Sequence, residues 1–134
     1  RYMRKVEVYG VEVQKMMPKG VELIVGMTRD VQFGPLLAFG LGGIYVNLLQ
    51  DVSFRLADGL SKTMIREMIE ETKAAVLLRG FRGEKARDLE AVMDTVARVA
   101  QLVRDFPEIA EMEINPLVAY VSGVSALDVK ITLA

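Results

Sequence analysis

The chain reads as an α+β domain, an antiparallel β-sheet with helices packed on one face. Three observations carry that reading. The first third alternates apolar and polar residues and is punctuated by glycine and proline. The middle switches to helical spacing, with Ser61 ahead of one apolar stripe and a second stripe running up to Pro107. The last third returns to alternation around Ser122-Gly123. Strands, then helices, then a hairpin favour helices gathered on one side of an antiparallel sheet.

Val6, Val8, Val11 and Val13 mark a strand-like run from Val6 to Met17, broken at Gly10. Pro18-Lys19-Gly20 signals a turn, and Val21 to Met27 resumes as the partner strand. Thr28-Arg29-Asp30 reads as a polar turn, Gly34 to Phe39 as a third strand, and Gly40-Leu41-Gly42-Gly43 as a loop. Ile44 to Leu49 and Val52 to Leu56 continue the β pattern. Ser61 is placed to cap a helix with Met64, Ile65, Met68 and Ile69 on one face. Leu77 to Gly83 reads as a loop. A long helix from about Ala86 to Phe106 follows, its buried stripe formed by Leu89, Val92, Met93, Val96, Val99, Ala100 and Val103.

Composition narrows the function classes. The chain has 134 residues, the size of one domain spanning 1–134, and 51% of them are hydrophobic, enough for a core. With 17 basic and 18 acidic residues the net charge is −1, so nothing argues for a nucleic-acid partner. Apolar runs are strand-sized, so no membrane span is expected, and no secretory leader is visible. The absence of cysteine excludes disulfides, thiolate metal sites and a Cys nucleophile, and fits a cytoplasmic protein. The absence of histidine removes the commonest general base and any phosphohistidine within the chain. The chain opens at Arg1 directly in a strand-like run, which reads as part of something larger.

The last third carries the sharpest chemistry. Pairing Val121 with Val124 across a Ser122-Gly123 loop places Ile114, Val118 and Tyr120 on one face with Leu127, Val129 and Ile131. The other face collects Glu113, Asn115, Asp128, Lys130 and Thr132. In this register Asn115 and Asp128 are diagonal neighbours, with backbones about 7–8 Å apart. Such hard oxygen donors suit Mg²⁺, which takes one or two protein oxygens and leaves the rest to water and phosphate. The plainer reading is a solvated hairpin face with an ordinary Lys130–Asp128 pair. Pro116 lacks an N–H, so its strand is expected at an edge or bulged there.

Two further features have two readings each. Gly40-Leu41-Gly42-Gly43 either admits a phosphate to backbone N–H groups or is only a tight turn; it matches neither a Walker A loop nor a dinucleotide fingerprint. Arg55 lies among apolar residues, where a charge needs a partner or water. It either stabilises phosphoryl charge or is an edge-strand Arg paired with Asp51 or a hairpin carboxylate. Glu22, between Val21 and Leu23, is an isolated strand acid.

In combination, Val13-Gln14-Lys15-Met16, Gly20-Val21-Glu22-Leu23-Ile24-Val25-Gly26, Phe33-Gly34-Pro35, Phe39 to Ile44, Asp51 to Leu56 and Glu113-Ile114-Asn115-Pro116-Leu117 resemble one family. It is the ATP-grasp domain of ADP-forming acyl-CoA synthetases, of the acetyl-CoA synthetase β-subunit type. The resemblance is colinear over essentially the whole chain. It implies the C-terminal subdomain of an ATP-grasp fold, with ATP or ADP and Mg²⁺ as cofactors. Gln14, Lys15 and Met16 match the strand that contacts adenine, and Glu22 matches the acid that reaches the ribose hydroxyls. Asn115 and Asp128 match the Mg²⁺ ligands, with Glu113 in support. Arg55, Gly42 and Gly43 lie where the family handles phosphate. The implied reaction is acyl-CoA + ADP + phosphate ⇌ acid + CoA + ATP, through an acyl phosphate and a phosphohistidine. The implied partner is a CoA-binding, histidine-bearing α subunit or domain, in a hetero-oligomer. The chain departs from the family at Asn47, where Glu is common, and at Asp58-Gly59, where Pro-Leu is expected. The other jaw, with its phosphate-gripping Lys, would precede Arg1. A similar module fused to protein acyltransferases looks like a regulatory or structural element rather than a catalyst; retention of both Asn115 and Asp128 favours the enzyme.

Overall fold

The computed structural model describes residues 20–42 and 51–134. Strand β1 (Val21–Asp30) runs into β2 (Gly34–Leu41), and β3 (Val52–Leu56) follows. Helices α1 (Lys62–Glu70), α2 (Ala74–Leu78) and α3 (Leu89–Asp105) come next, then β4 (Ile109–Ala119), β5 (Val124–Ala126) and β6 (Val129–Leu133). The described strands form one antiparallel sheet in the order β3-β2-β1-β4-β5, and β6 continues the β5 side along β4.

The helices cover one face. Leu23, Val25 and Met27 of β1, with Leu37 and Phe39 of β2, meet Ile65, Met68 and Ile69 of α1 and the expected α3 stripe in one core cluster. Truncating a fully buried Leu such as Leu23 to Ala would cost about 2–5 kcal/mol. Ser53 faces the same side, its hydroxyl donating to the Met68 carbonyl at 2.7 Å. The opposite face of the sheet carries Glu22, Ile24, Gly26 and Thr28 from β1, alternating with the core residues.

Local chemistry sets the element boundaries. The Ser61 hydroxyl accepts the Met64 N–H at 3.2 Å, as expected of an N-cap. The long helix starts later than Ala86, because Asp88 caps it by accepting from the Ala91 N–H at 3.1 Å. Thr28-Arg29-Asp30 is not a turn: these residues pair with Leu36, Pro35 and Gly34, and the turn is Val31-Gln32-Phe33. Asp30 stabilises it by accepting from the N–H groups of Gln32 and Phe33 at 2.8 and 2.9 Å. Leu77 and Leu78 are also no loop; they close α2, whose first N–H groups are received by the Asp51 carboxylate at 2.8 and 3.1 Å. Residues Val6 to Met17 and Ile44 to Leu49, expected as strands, lie outside the described residues.

β4 is internal to the sheet and bulged, the second of the two alternatives Pro116 left open. Leu23 pairs with Leu117 but Val25 with Ile114, so Ile24 alone opposes both Asn115 and Pro116. The extra residue flips the strand. Ile114 and Leu117, three positions apart, both face the helices, at 6% and 1% exposure. Val118 therefore lies on the other side from Ile114, paired with Glu22, and the expected single face for Ile114, Val118 and Tyr120 does not form.

The hairpin register also differs. Leu117 pairs with Ala126, Ala119 with Val124, Glu113 with Lys130 and Ile114 with Val129. The loop is Val121-Ser122, with Gly123 at φ 85° and its carbonyl accepting the Tyr120 N–H at 3.0 Å. This is a slip of two residues from the expected pairing. A two-residue slip leaves side-chain parity unchanged, so the alternation could not distinguish the two registers.

Candidate nucleotide and metal site

The slip brings Asn115 and Asp128 closer than expected. They are directly opposed rather than diagonal, the Asn115 N–H donating to the Asp128 carbonyl at 3.0 Å. Glu113 is two residues back along β4, opposite Lys130, so the oxygen-bearing residues occupy the face of the ribbon turned away from the described helices. Asp128 and Lys130 are exposed, while Glu113 and Asn115 are half-buried.

Across β1, the end of β2 approaches the same point. The Gly42 N–H donates to the Glu22 carbonyl at 2.9 Å. A Cβ on Gly42 would stand 2.3 Å from the Leu23 carbonyl oxygen, so that backbone admits only glycine here, and 3.0 Å from Asn115 Oδ1, which packs beside it. Gly40 and Leu41, expected in a glycine loop, instead complete β2. Glu22 is exposed on the same face, paired with Val118. The structure thus assembles Glu22, Gly42, Asn115, Asp128 and Glu113 around the β2–β1–β4–β6 surface. Gln14, Lys15, Met16 and Gly43 lie outside the described residues.

Arg55 does not join them. It pairs in register with the buried Leu37, on the helix-covered side of β3, the edge strand among the described residues. Its guanidinium is bonded to the Glu71 carboxylate at the end of α1 and to the Phe54 carbonyl. That bond to Glu71 holds Arg55 above and Glu71 below their ordinary pKa values. The edge-strand pairing expected for Arg55 exists, but its acid comes from a helix and not from Asp51 or the hairpin.

An open cavity of about 310 Å³ continues from this cluster along the sheet face opposite the described helices. Glu113 and Lys130 are at its near end, Thr28, Glu111 and Thr132 are on its wall, and Ala38 and Phe54 lie across it. It stops short of Asn115 and Asp128. Thr28 and Glu111 were not legible as site residues, because Thr28 fell in an expected turn.

The donor set fits Mg²⁺. It offers one neutral and up to two anionic oxygens, no nitrogen or sulfur, and an exposed side on which water and phosphate could complete the shell. Among the described residues no group of three or more His, Cys, Asp or Glu could hold a metal ion.

Comparison with known proteins decides the family. The ATP-grasp domain matches residues 1–133. The chain belongs to the ATP-grasp family. This ATP-grasp chain is 48% identical over 131 residues to acetate–CoA ligase (ADP-forming) I of Archaeoglobus fulgidus, covering 98% of the chain and 19% of that protein. It is 46% identical over 132 residues to the β subunit of acetate–CoA ligase (ADP-forming) I of Pyrococcus furiosus, covering 98% of the chain and 56% of that subunit. The chain therefore spans about a fifth and about half of these two relatives. Among solved structures it resembles dinucleotide-forming acetyl-coenzyme A synthetase 1 of Candidatus Korarchaeum cryptofilum in complex with coenzyme A and Mg-AMPPCP. There the TM-score is 0.84 at 47% identity, over 88% of this chain and 55% of that one. In that complex a phosphohistidine segment points towards the nucleotide binding site.

Proposed function

We propose that this ATP-grasp chain is the nucleotide- and Mg²⁺-holding part of an ADP-forming acyl-CoA ligase, catalysing acyl-CoA + ADP + phosphate ⇌ acid + CoA + ATP through a phosphohistidine. The observation that carries the reading is the direct opposition of Asn115 and Asp128 on the face away from the described helices, beside Gly42. It is supported by the identity to acetate–CoA ligases and by the Mg-AMPPCP complex of the Korarchaeum relative.

In this reading Asn115 and Asp128 hold the metal, and Glu113 supports them from two residues back. A Mg²⁺ ion held there would supply positive charge to offset that of the nucleotide and the phosphoryl group. Glu22, one strand over, receives the ribose hydroxyls. Gln14, Lys15 and Met16 contact adenine, and Gly42 and Gly43 let the backbone approach phosphate. Arg55 is left to its ion pair with Glu71. The chain has no histidine, so the phosphoryl-carrying imidazole comes from a CoA-binding α subunit or domain, in a hetero-oligomer. Among the described residues no helix is long and apolar enough to cross a membrane, and the proposed setting is cytoplasmic.

The test uses the full-length protein with its histidine-bearing partner, assayed for ADP phosphorylation driven by acetyl-CoA and phosphate. Asp128→Ala is expected to lower Mg²⁺-dependent turnover by at least about 100-fold with the fold intact. Full turnover in that variant would overturn the assignment.

A further inference from the structure

The register that opposes Asn115 to Asp128 is not set by the apolar pattern, since a two-residue slip preserves it. Nor is it set by burial along the outer strand. Val129, Ile131 and Leu133 remain 46%, 50% and 66% exposed, so sliding β6 along β4 would change little apolar burial. Val124, partly buried against the core, is the one described residue of β5 and β6 that packs there. In the slipped register Asn115 would face Lys130 and Asp128 would face Leu117, and the oxygen pair would be lost.

What distinguishes the two registers is the turn, and the turn is held from outside. The Asp88 backbone N–H donates to the Tyr120 carbonyl at 2.8 Å. Its carboxylate accepts from the Gly123 N–H at 2.7 Å through Oδ2 and from the Ala91 N–H at 3.1 Å through Oδ1. Tyr120 C=O and Gly123 N–H are the two groups that would otherwise bond each other across a Val121-Ser122 loop. Asp88 is inserted between them and ties both to the first turn of α3. A loop at Ser122-Gly123 would move Gly123 into the loop and break this clasp.

We infer that Asp88 is a positioning residue: by clasping Tyr120 and Gly123 it selects the hairpin register that places Asn115 opposite Asp128. The functional half of this inference rests on the metal reading above; the register half does not. The carboxylate is well suited to the task, because hydrogen bonds donated to a charged acceptor are stronger than neutral ones.

Because this sequence holds no cysteine, pairs introduced into it allow the register to be read in the full-length protein by oxidative cross-linking and peptide mapping. Glu113→Cys with Lys130→Cys reports the observed pairing, for which opposed Cα atoms lie at about disulfide distance. Glu113→Cys with Thr132→Cys reports the slipped one. Asp88→Ser retains a hydroxyl to cap α3 but cannot bridge both N–H groups, and Asp88→Asn provides a second variant if the first does not fold. Either is expected to shift the ratio of the two cross-links at least about fivefold towards the slipped pair. An unchanged ratio overturns the clasp, as does an equal shift in Val124→Ala, which would make packing the determinant. In the full-length protein without added cysteines, Asp88→Ser should raise the Mg²⁺ concentration needed for turnover about tenfold while the nucleotide KM at saturating Mg²⁺ moves less. A shifted register with unchanged Mg²⁺ requirement would leave the clasp standing and sink the metal reading.

Discussion

Asn115 Oδ1 lies 3.0 Å from the point that a Cβ on Gly42 would occupy, so the metal-ligand candidate and the end of β2 share one small space. Gly42→Ala should force β2 away from the Leu23 carbonyl and displace the Asn115 amide. The expected loss is about 1–3 kcal/mol of stability from overpacking, with a larger proportional rise in the Mg²⁺ requirement than in the nucleotide KM. Urea denaturation beside an Mg²⁺ titration of turnover checks both. A variant of normal stability and normal Mg²⁺ dependence would show that the contact is idle.

Arg29 ties the far end of β1 to the end of α3. Its guanidinium donates to the carbonyls of Ile109, Val103 and Phe106 at 2.6, 2.8 and 3.1 Å. A cation at a helix C-terminus also meets the negative end of the helix dipole. Arg29→Met, which keeps the aliphatic stem, should cost about 2–3 kcal/mol. The measurement is the urea midpoint, with an unchanged slope if the loss is in folded-state contacts.

Asp88 is held below its ordinary value of about 3.8, first by the Gly123 N–H and then by the Ala91 N–H. A carboxyl with a lowered folded pKa stabilises the fold above its unfolded pKa, and that contribution is lost as pH falls through the folded value. The stability difference between the parent chain and Asp88→Asn should therefore be constant near neutrality. It should shrink from about pH 4 downwards. Denaturation at a series of pH values would reveal the opposite trend, a gap widening in acid, if the clasp worked through a neutral carboxyl.

Arg55 offers a separate check on the site. Because its guanidinium is engaged by Glu71 on the helix-covered side, Arg55→Gln should leave turnover within about threefold of the parent, as expected for loss of an exposed ion pair. A hundredfold fall in kcat would return Arg55 to the phosphate.

Much of this architecture was legible residue by residue. The α3 stripe from Val92 to Val103 follows from helical periodicity and the α1 start from Ser61. Pro116, which cannot donate a ladder hydrogen bond, left an edge strand and a bulge equally open, and the fold chose the bulge. The gathering of Glu113, Asn115, Asp128 and Lys130 on one face follows from alternation alone, because its period of two survives any even slip. What the sequence by itself could not decide is which even register the ribbon takes. That choice rests on the contact of Asp88 with Gly123, 35 positions away. The extension of β1 through Arg29 likewise depends on carbonyls 74 to 80 residues further on. Local pattern reports which way a side chain points only as far as the bulge at Asn115-Pro116, beyond which Val118 lies on the other side from Ile114. Only the folded chain brings distant backbone groups within hydrogen-bonding reach, and here those long-range bonds set where the Asn115–Asp128 pair stands.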